Sequence, residues 1–368
     1  MIVRNAERSL AAALASARPF VDEMIVVDTG STDGTRQIAE QEGARVFDFP
    51  WCDSFSAARN HSLAQATGDW IFWMDADDLL SAESGQELRR KIAECPGRDA
   101  AFWVTIEEQK TDKRGRKTLL GHAHAKLFPR REEIRFRYRV HEQVAPAIRK
   151  AGLAIRQSRA VVRHAADRSP AAEAARAERN LRLAYLDLQD RPRDPFVWLT
   201  LGTTYLFMTD CLPTAIYFLR RSAAGFRRGS AIQLNALLYL GQALGTSGDR
   251  RQEENVYRRA LASFPDDSVL LMRLAGLCER SRRARAAADL YRRILERGTI
   301  RVSAVHGRHT RLRAALRLGQ LYLRIGQRQQ AETLWREFLT RHPQATPVRR
   351  ALERSLLNPS PIIVKPPL

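Results

Sequence analysis

Residues 74–78 read Met-Asp-Ala-Asp-Asp and close an apolar run that begins at Trp70. Three carboxylates in four positions repel one another unless a cation or hydrogen-bond donors compensate them. A hard divalent ion accepts carboxylate oxygens and keeps positions open for diphosphate oxygens. Such an ion would neutralise the charge that develops when a nucleoside diphosphate leaves. The bland alternative is a solvated turn whose Asp residues cap a helix starting near Leu79.

Two further stretches have the residue types for the same chemistry. VVDTGSTDGT, residues 26–35, reads as a strand ending in Asp28, a Gly- and Ser-rich loop, and a helix capped by Thr32 or Asp33. Asp28 stands where a carboxylate could accept hydrogen bonds from a nucleotide base. SFSAARNHSL, residues 54–63, places Arg59 and Asn60 in the helix before the MDADD strand. Arg59 suits a phosphate or an acidic partner. Singly, each of these also reads as ordinary strand–loop–helix or surface-helix sequence.

The elements that must position these residues alternate. Helical patterns cover 7–17, 35–42 and 56–66, and strand-like runs cover 24–27, 44–47 and 70–74. Alternation of this kind predicts a mostly parallel sheet covered by helices, with ligands beyond the carboxyl ends of the strands. Between 101 and 162 the pattern turns to strands. Runs at 102–107 and 118–120 flank the polar KTDKRGRK, and shorter strands are expected at 126–128 and 136–140. From 167 to 178 the chain is Ala-rich, charged and helical in pattern.

Beyond that the sequence repeats. Trp198, Leu201, Gly202 and Tyr205 match the front of a tetratricopeptide unit, and Gly241, Ala275 and Gly319 recur at the same small-residue position. A small residue there lets the paired helix approach closely while aromatics fill the groove. Such units bury their cores only by stacking, so several are expected together. The expected division is an α/β domain at 1–165, a helical linker at 166–194, repeats at 195–347, and a helix end with a Pro-rich tail at 348–368. The basic run at 306–313 reads as a solvated linker.

The formal net charge is +20, mostly from Arg, and reads as spread along both halves. An anionic partner (nucleotide diphosphates, lipid phosphates, an acidic acceptor) is compatible with it, as is plain compositional bias. No recognition-helix or RNA-binding signature supports nucleic acid. Cys52, Cys95, Cys211 and Cys278 lack CxxC spacing and read as reduced thiols. No apolar run approaches the roughly 20 residues that span a bilayer, and no long apolar leader is present. Cytoplasmic placement, at most peripheral at the inner membrane face, is the expectation.

Taken in order, the DTGSTDGT loop, the FSAARN stretch, the MDADD segment and the later His-Glu pair resemble family 2 glycosyltransferases of the GT-A fold. The layout, with tetratricopeptide repeats joined on, is similar to that of bacteriocin S-glycosyltransferases. The resemblance covers about residues 1–165. It implies a Rossmann-like α/β domain and transfer of a sugar, with inversion, from a nucleotide-sugar (a UDP-sugar in the first instance) to a peptide, glycan or lipid-linked acceptor. It further implies Mn²⁺ or Mg²⁺ as cofactor. By motif position, Val3 and Asp28 line the base site and Arg59 is a secondary nucleotide contact. Asp75 meets the ribose or diphosphate, Asp77 ligates the metal, and Asp78 supports the metal or caps the next helix. Glu142 in YRVHEQV matches the catalytic base, with His141 as a metal or diphosphate contact and Glu107 and Glu108 as rivals for the base. His122 and His124, two apart, fall on one face of a strand and read as structural. Members of the family carry several residues before MIV, so a shortened first strand is expected here. The alternative reading is a non-catalytic repeat scaffold with a degenerate transferase domain. A phosphatase of the haloacid dehalogenase type fits poorly, because Leu79 stands where Thr or Val is needed. The repeats are expected to bind the acceptor, a protein partner or a second copy.

Overall fold

The computed structural model describes residues 1–111, 117–165, 169–208, 211–297 and 310–357. The expected turn at 112–116, the first four residues of the basic run and the tail at 358–368 lie outside these. Two compact units emerge, Met1–Thr204 and Tyr205–Leu368. No described helix is long and apolar enough to cross a membrane.

The first unit opens with β1 (Ile2–Val3), α1 (Leu10–Ala17), β2 (Ile25–Asp28), α2 (Thr35–Gln41), β3 (Arg45–Asp48) and α3 (Phe55–Gln65). β1, β2 and β3 form a parallel sheet in that order, with Val3 opposite Asp28 and Asp28 opposite Asp48. Val3, Leu10, Leu14, Val26 and Ala39 bury one another between these strands and helices. That burial is what orders the turn-rich connections on the polar side. Gly34, rather than Thr32 or Asp33, is the cap residue of α2. Asp33 contributes from one position earlier, accepting the Thr35 amide at 3.1 Å.

β4 (Trp70–Phe72), β5 (Asp78–Leu80), α4 (Ala82–Ala93), β6 (Ala100–Thr111), β7 (Lys117–Pro129), α5 (Ala145–Lys150), β8 (Ala154–His164) and α6 (Pro170–Asp190) complete the unit. The second sheet runs β4-β7-β6-β8-β5, and only its β6–β8 pair is parallel. Parallel pairing therefore holds for the first three strands and for β6–β8. The long β6–β7 pair, consecutive in the chain, is antiparallel. Two local expectations change. The acidic segment does not cap a helix: Asp78 opens β5 opposite His164, and Ser81 caps α4 by accepting the Ser84 amide at 3.2 Å. Residues 136–140 do not make a strand either. They form a tight turn closed by an isolated Arg137–Gln143 bridge, with Tyr138 and His141 at φ +73° and +53°.

The stretch expected as a linker contains α6, which Ser169 caps by accepting the Ala172 amide. This helix belongs to the first unit. Its Asp187 carboxylate, almost fully buried, accepts the Arg139 amide at 2.8 Å. Arg182 pairs with Asp53 at 2.6 Å.

α7 (Pro195–Leu206) crosses the division. The second unit continues as α8 (Leu212–Gly225), α9 (Ala231–Thr246), α10 (Arg250–Ser263), α11 (Ser268–Arg280), α12 (Ala284–Arg297), α13 (Thr310–Arg324), α14 (Arg328–Arg341) and α15 (Thr346–Leu357). The glycines at the small-residue position do what their spacing predicts. A Cβ on Gly241 would stand 2.2 Å from the Tyr257 ring, and one on Gly319 would stand 2.2 Å from Trp335. Trp335 is buried and donates its indole N–H to Ala315 O at 3.0 Å. The charge is not spread evenly. Residues 205–368 hold 29 Lys and Arg against 12 Asp and Glu, whereas residues 1–204 hold 32 against 29. Nearly all of the excess belongs to the repeat unit.

Candidate active site

Arg59 is the centre of the arrangement. Its side chain, 9% exposed, projects from α3 and meets two carboxylates that are far apart in sequence. Nη2 lies 2.7 Å from Asp75 and Nε 2.5 Å from Glu142. The guanidinium also stacks over the Trp73 ring at 4.4 Å, which keeps water from one side of the pair.

The MDADD carboxylates divide the work. Asp78 is fully buried and bound on both oxygens, by Lys126 Nζ at 2.7 Å and by His164 Nδ1 at 2.9 Å. It also accepts the Asp75 amide at 3.0 Å, which shapes the turn between β4 and β5. Lys126 is itself fully buried, 3.8 Å from the Trp73 ring centre and 4.0 Å from Asp75. Burial alone would raise the Asp75 carboxyl, but the Arg59 and Lys126 charges hold it well below the usual range. Asp78 behaves likewise: burial pushes it up, and Lys126 and the His164 hydrogen bond bring it down. Asp77 is different. Its carboxyl is raised by burial, with Asp75 and Asp78 adding to the effect, while His164, 3.2 Å away, and its own backbone amide oppose it. About a third of its surface is open. His164 is raised in turn, first by its hydrogen bond to Asp78.

These residues fit a divalent cation. One oxygen each of Asp75 and Asp78 and a ring nitrogen of His164 lie within 4.8 Å of one another. Asp78 is already engaged on both oxygens, so the carboxylates with capacity left are Asp75 and Asp77, with His164 between the acidic residues.

The Glu142 segment is held from outside. Tyr138 and His141 occupy left-handed backbone, which costs a non-glycine residue on the order of 1–3 kcal/mol and persists only where neighbours enforce it. Here the Tyr138 hydroxyl donates to Asp194 at 3.0 Å, Asp187 takes the Arg139 amide, and Arg139 O accepts the Phe55 amide at 2.9 Å. The last contact joins the Glu142 turn to the start of α3, the helix that carries Arg59. His141 is lowered by burial against the opposing pull of Glu142, and Arg179 is a further charge beside it.

On the parallel sheet, Asp28 is 7% exposed and its Oδ1 accepts the Ser31 amide at 3.0 Å and hydroxyl at 2.7 Å. Thr29 donates its amide and hydroxyl to Val3 O, at 3.0 and 2.9 Å. Asn5 and Glu7 accept the Thr32 and Gly34 amides, at 2.8 and 3.0 Å, so the loop is stitched to the residues after β1.

The structure thus joins Arg59, Asp75 and Glu142 directly and sets Val3 beside Asp28. It pairs Asp77 with His164, while His141 lies with Glu142 and Arg179. Sequence reasoning missed Lys126 and His164. Lys126 shares a strand face with His122 and His124, and a lysine inside KLF was the available signal. His164 had none, since only strand register brings it to Asp78. His124 packs edge-on against Trp73 at 6.0 Å and is lowered to about 3 by burial first, then by Lys126 and His122. Of the rival bases, Glu108 is in register with His164 and Glu107 with Arg163.

A strand-end acidic cluster bound to a buried arginine, and a stitched DTGSTDGT loop, allow comparison with known proteins. The sequence model of glycosyl transferase family 2 matches residues 1–149. This chain carries a family 2 glycosyltransferase domain. A tetratricopeptide-repeat model matches residues 313–345, within the second unit. A TPR repeat-containing protein of Synechococcus elongatus is 33% identical to the chain over 280 residues, 73% of this chain and 66% of that protein. The SPbeta prophage-derived glycosyltransferase SunS of Bacillus subtilis is 25% identical over 241 residues, 62% of this chain and 53% of SunS. An uncharacterized glycosyltransferase of Rickettsia felis is 40% identical over 88 residues, 24% of this chain and 31% of that protein. The chain therefore spans less than two thirds of each. The family 2 domain and the tetratricopeptide match thus lie in one chain.

Proposed function

We propose that the chain moves a sugar from a nucleotide-sugar, a UDP-sugar in the first instance, to a peptide, glycan or lipid-linked acceptor, with inversion at the anomeric carbon. The observation that supports this best is the Arg59 bridge. A carboxylate at the donor position, Asp75, and a carboxylate suited to deprotonating an acceptor, Glu142, are fixed on one buried guanidinium.

In this reading Val3 and Asp28 line the base site, and Asp75 meets the ribose or diphosphate. Asp77 is the first ligand for Mn²⁺ or Mg²⁺, with His164 and Asp75 beside it. Asp78 is given to structure, tying Lys126, His164 and the Asp75 amide together. When bound, the ion neutralises charge on the departing diphosphate. Glu142 takes the acceptor proton as the acceptor atom bonds to the anomeric carbon and the bond to the diphosphate oxygen breaks. His141, on the same turn, is a diphosphate contact. The turn keeps Glu142 in place through its ties to α6 and α3, so proximity is built before the substrate arrives.

Calorimetric titration of UDP with and without Mn²⁺, on the wild type and on Asp77→Ala, tests this. Metal-dependent binding that Asp77→Ala abolishes, with melting temperature little changed, is the expected result. A well-folded protein that binds no UDP at any metal concentration would leave the scaffold reading in its place.

A further inference from the structure

The Glu142 turn has a further hold on α3, besides the Arg59 pair and the Phe55 amide. The Asn60 side chain meets the Phe136 backbone at two points. Its Oδ1 accepts the Phe136 amide at 2.7 Å, and its Nδ2 donates to Phe136 O at 3.0 Å. A backbone amide only donates and a carbonyl only accepts, so the partner fixes which way the Asn60 amide points. The side chain offers Phe136 what a neighbouring strand would offer. Asparagine is a weak helix former, because its side chain competes for backbone groups. Helix stability therefore does not explain its place inside α3, whereas the clamp does.

Phe136 begins the turn. Its ring is buried, meets Trp73 edge-on at 5.6 Å and lies 5.7 Å from the Arg59 guanidinium carbon. At the next residue, Arg137 and Gln143 exchange both backbone hydrogen bonds, each at 3.0 Å. Glu142 precedes Gln143, and its carboxylate returns to Arg59. The contacts close a ring from Asn60 through Phe136, Arg137, Gln143 and Glu142 to Arg59. That ring begins and ends on adjacent residues of one helix. Its two holds differ in kind. The Arg59–Glu142 pair joins two long side chains, which keep contact over a range of backbone positions. Asn60 has a short side chain bonded directly to backbone, so it sets where the turn stands.

We propose that Asn60 is a positioning residue for Glu142: its two-point clamp on Phe136 holds the carboxylate where it takes the acceptor proton. The proposal rests on the reading of Glu142 as the acceptor base. Proton transfer needs the heavy atoms within about 2.6–3.2 Å of each other. A misplacement of about 1 Å costs up to about a hundredfold in rate.

The test is donor hydrolysis by the full chain with Mn²⁺, on UDP-glucose, UDP-galactose and UDP-N-acetylglucosamine. Water replaces the acceptor: its oxygen bonds to the anomeric carbon, the bond to the diphosphate oxygen breaks, and a water proton passes to Glu142. Asn60→Ala is expected to lower kcat by about tenfold to a hundredfold with KM little changed. Glu142→Gln is expected to lower it at least as much. Adding Asn60→Ala to Glu142→Gln then costs nothing more, since an absent base cannot be misplaced. Losses that multiply in the double variant would overturn positioning in favour of a merely structural clamp. A loss in Asn60→Ala with none in Glu142→Gln would instead overturn the base reading. Amide hydrogen exchange needs no donor. Asn60→Ala should speed exchange at Arg137 and Gln143 by about tenfold while α3 stays protected. Unchanged exchange there overturns the proposal, and it decides the matter should the wild type hydrolyse none of the three donors. Should Asn60→Ala fail to fold, Asn60→Asp keeps the bond from the Phe136 amide, loses the one to Phe136 O, and gives the same readings.

Discussion

The two units handle charge in opposite ways. In the transferase domain, Arg59, Lys126, Asp75 and Asp78 are packed into a nearly neutral, largely water-free cluster, with Lys126 and Asp78 fully buried. In the repeat unit, the arginines keep about half of their surface in water and rest on a few sunken carboxylates. Removing one partner of a buried pair strands the other without solvent, which is costly. Removing one partner of a wet pair changes little, because water and salt already share the interaction. The first arrangement fixes the geometry of the candidate site, and the second leaves its charge in contact with water.

The contrast breaks most sharply at Lys126. Lys126→Met leaves Asp78 buried with only His164 and the Asp75 amide, and is expected to lower stability by about 3–5 kcal/mol. Urea denaturation followed by circular dichroism measures this. If the variant were as stable as the wild type, the ionic cluster would not be the structural element described here. Methionine keeps most of the stem's packing against Trp73, so the loss would report charge rather than volume.

How much of this was readable beforehand follows the range of the interactions. The Rossmann-like start, the strand-end position of Asp28 and Asp75, and the repeats depend on local period and on short motifs, and these were legible. The close approach at Gly241 and Gly319 was legible too, because one small residue per repeat states it. His164 was not, and Lys126 only as a lysine inside an apolar strand, since their partners are set by strand register across β4–β7 and β5–β8. Asp78 was read as a cap or metal support for the same reason: its partners are 48 and 86 residues away. The turn at 136–140 reads as a strand by composition, and it is α6, through Asp187, that makes a left-handed turn tenable there. The uneven charge was visible in the sequence, but only the boundary at Thr204 gave it meaning.

A middle-sized effect tests the packing of the repeats. Gly319→Ala places a methyl group 2.2 Å from the Trp335 ring, so either the ring or the helix must move. Overpacking of this kind costs about 1–3 kcal/mol. The expected result is a lower urea midpoint for the repeat unit with UDP binding unchanged. A neutral substitution would mean that the α13–α14 crossing relaxes freely.

The smallest effect is the most diagnostic of the wet pairs. Glu254 on α10 accepts two hydrogen bonds from Arg283 of α12, at 2.8 and 2.7 Å, and one from Arg258 at 2.8 Å. The Arg283 bonds are the main reason its carboxyl is held at about 2, against an ordinary 4.5. A carboxyl lowered by folding stabilises the fold above its unfolded value and loses that contribution as pH falls toward the folded one. Glu254→Gln should therefore melt slightly below the wild type near neutral pH, by the equivalent of about 0.2–1 kcal/mol. The gap should narrow as the pH drops from about 5 to about 3, because the wild-type carboxylate then loses its advantage. Added salt should narrow it as well, since both partners reach solvent. A gap that persisted at low pH and high salt would place Glu254 with the buried carboxylates of the transferase domain, and the division between the two units would fail at that point.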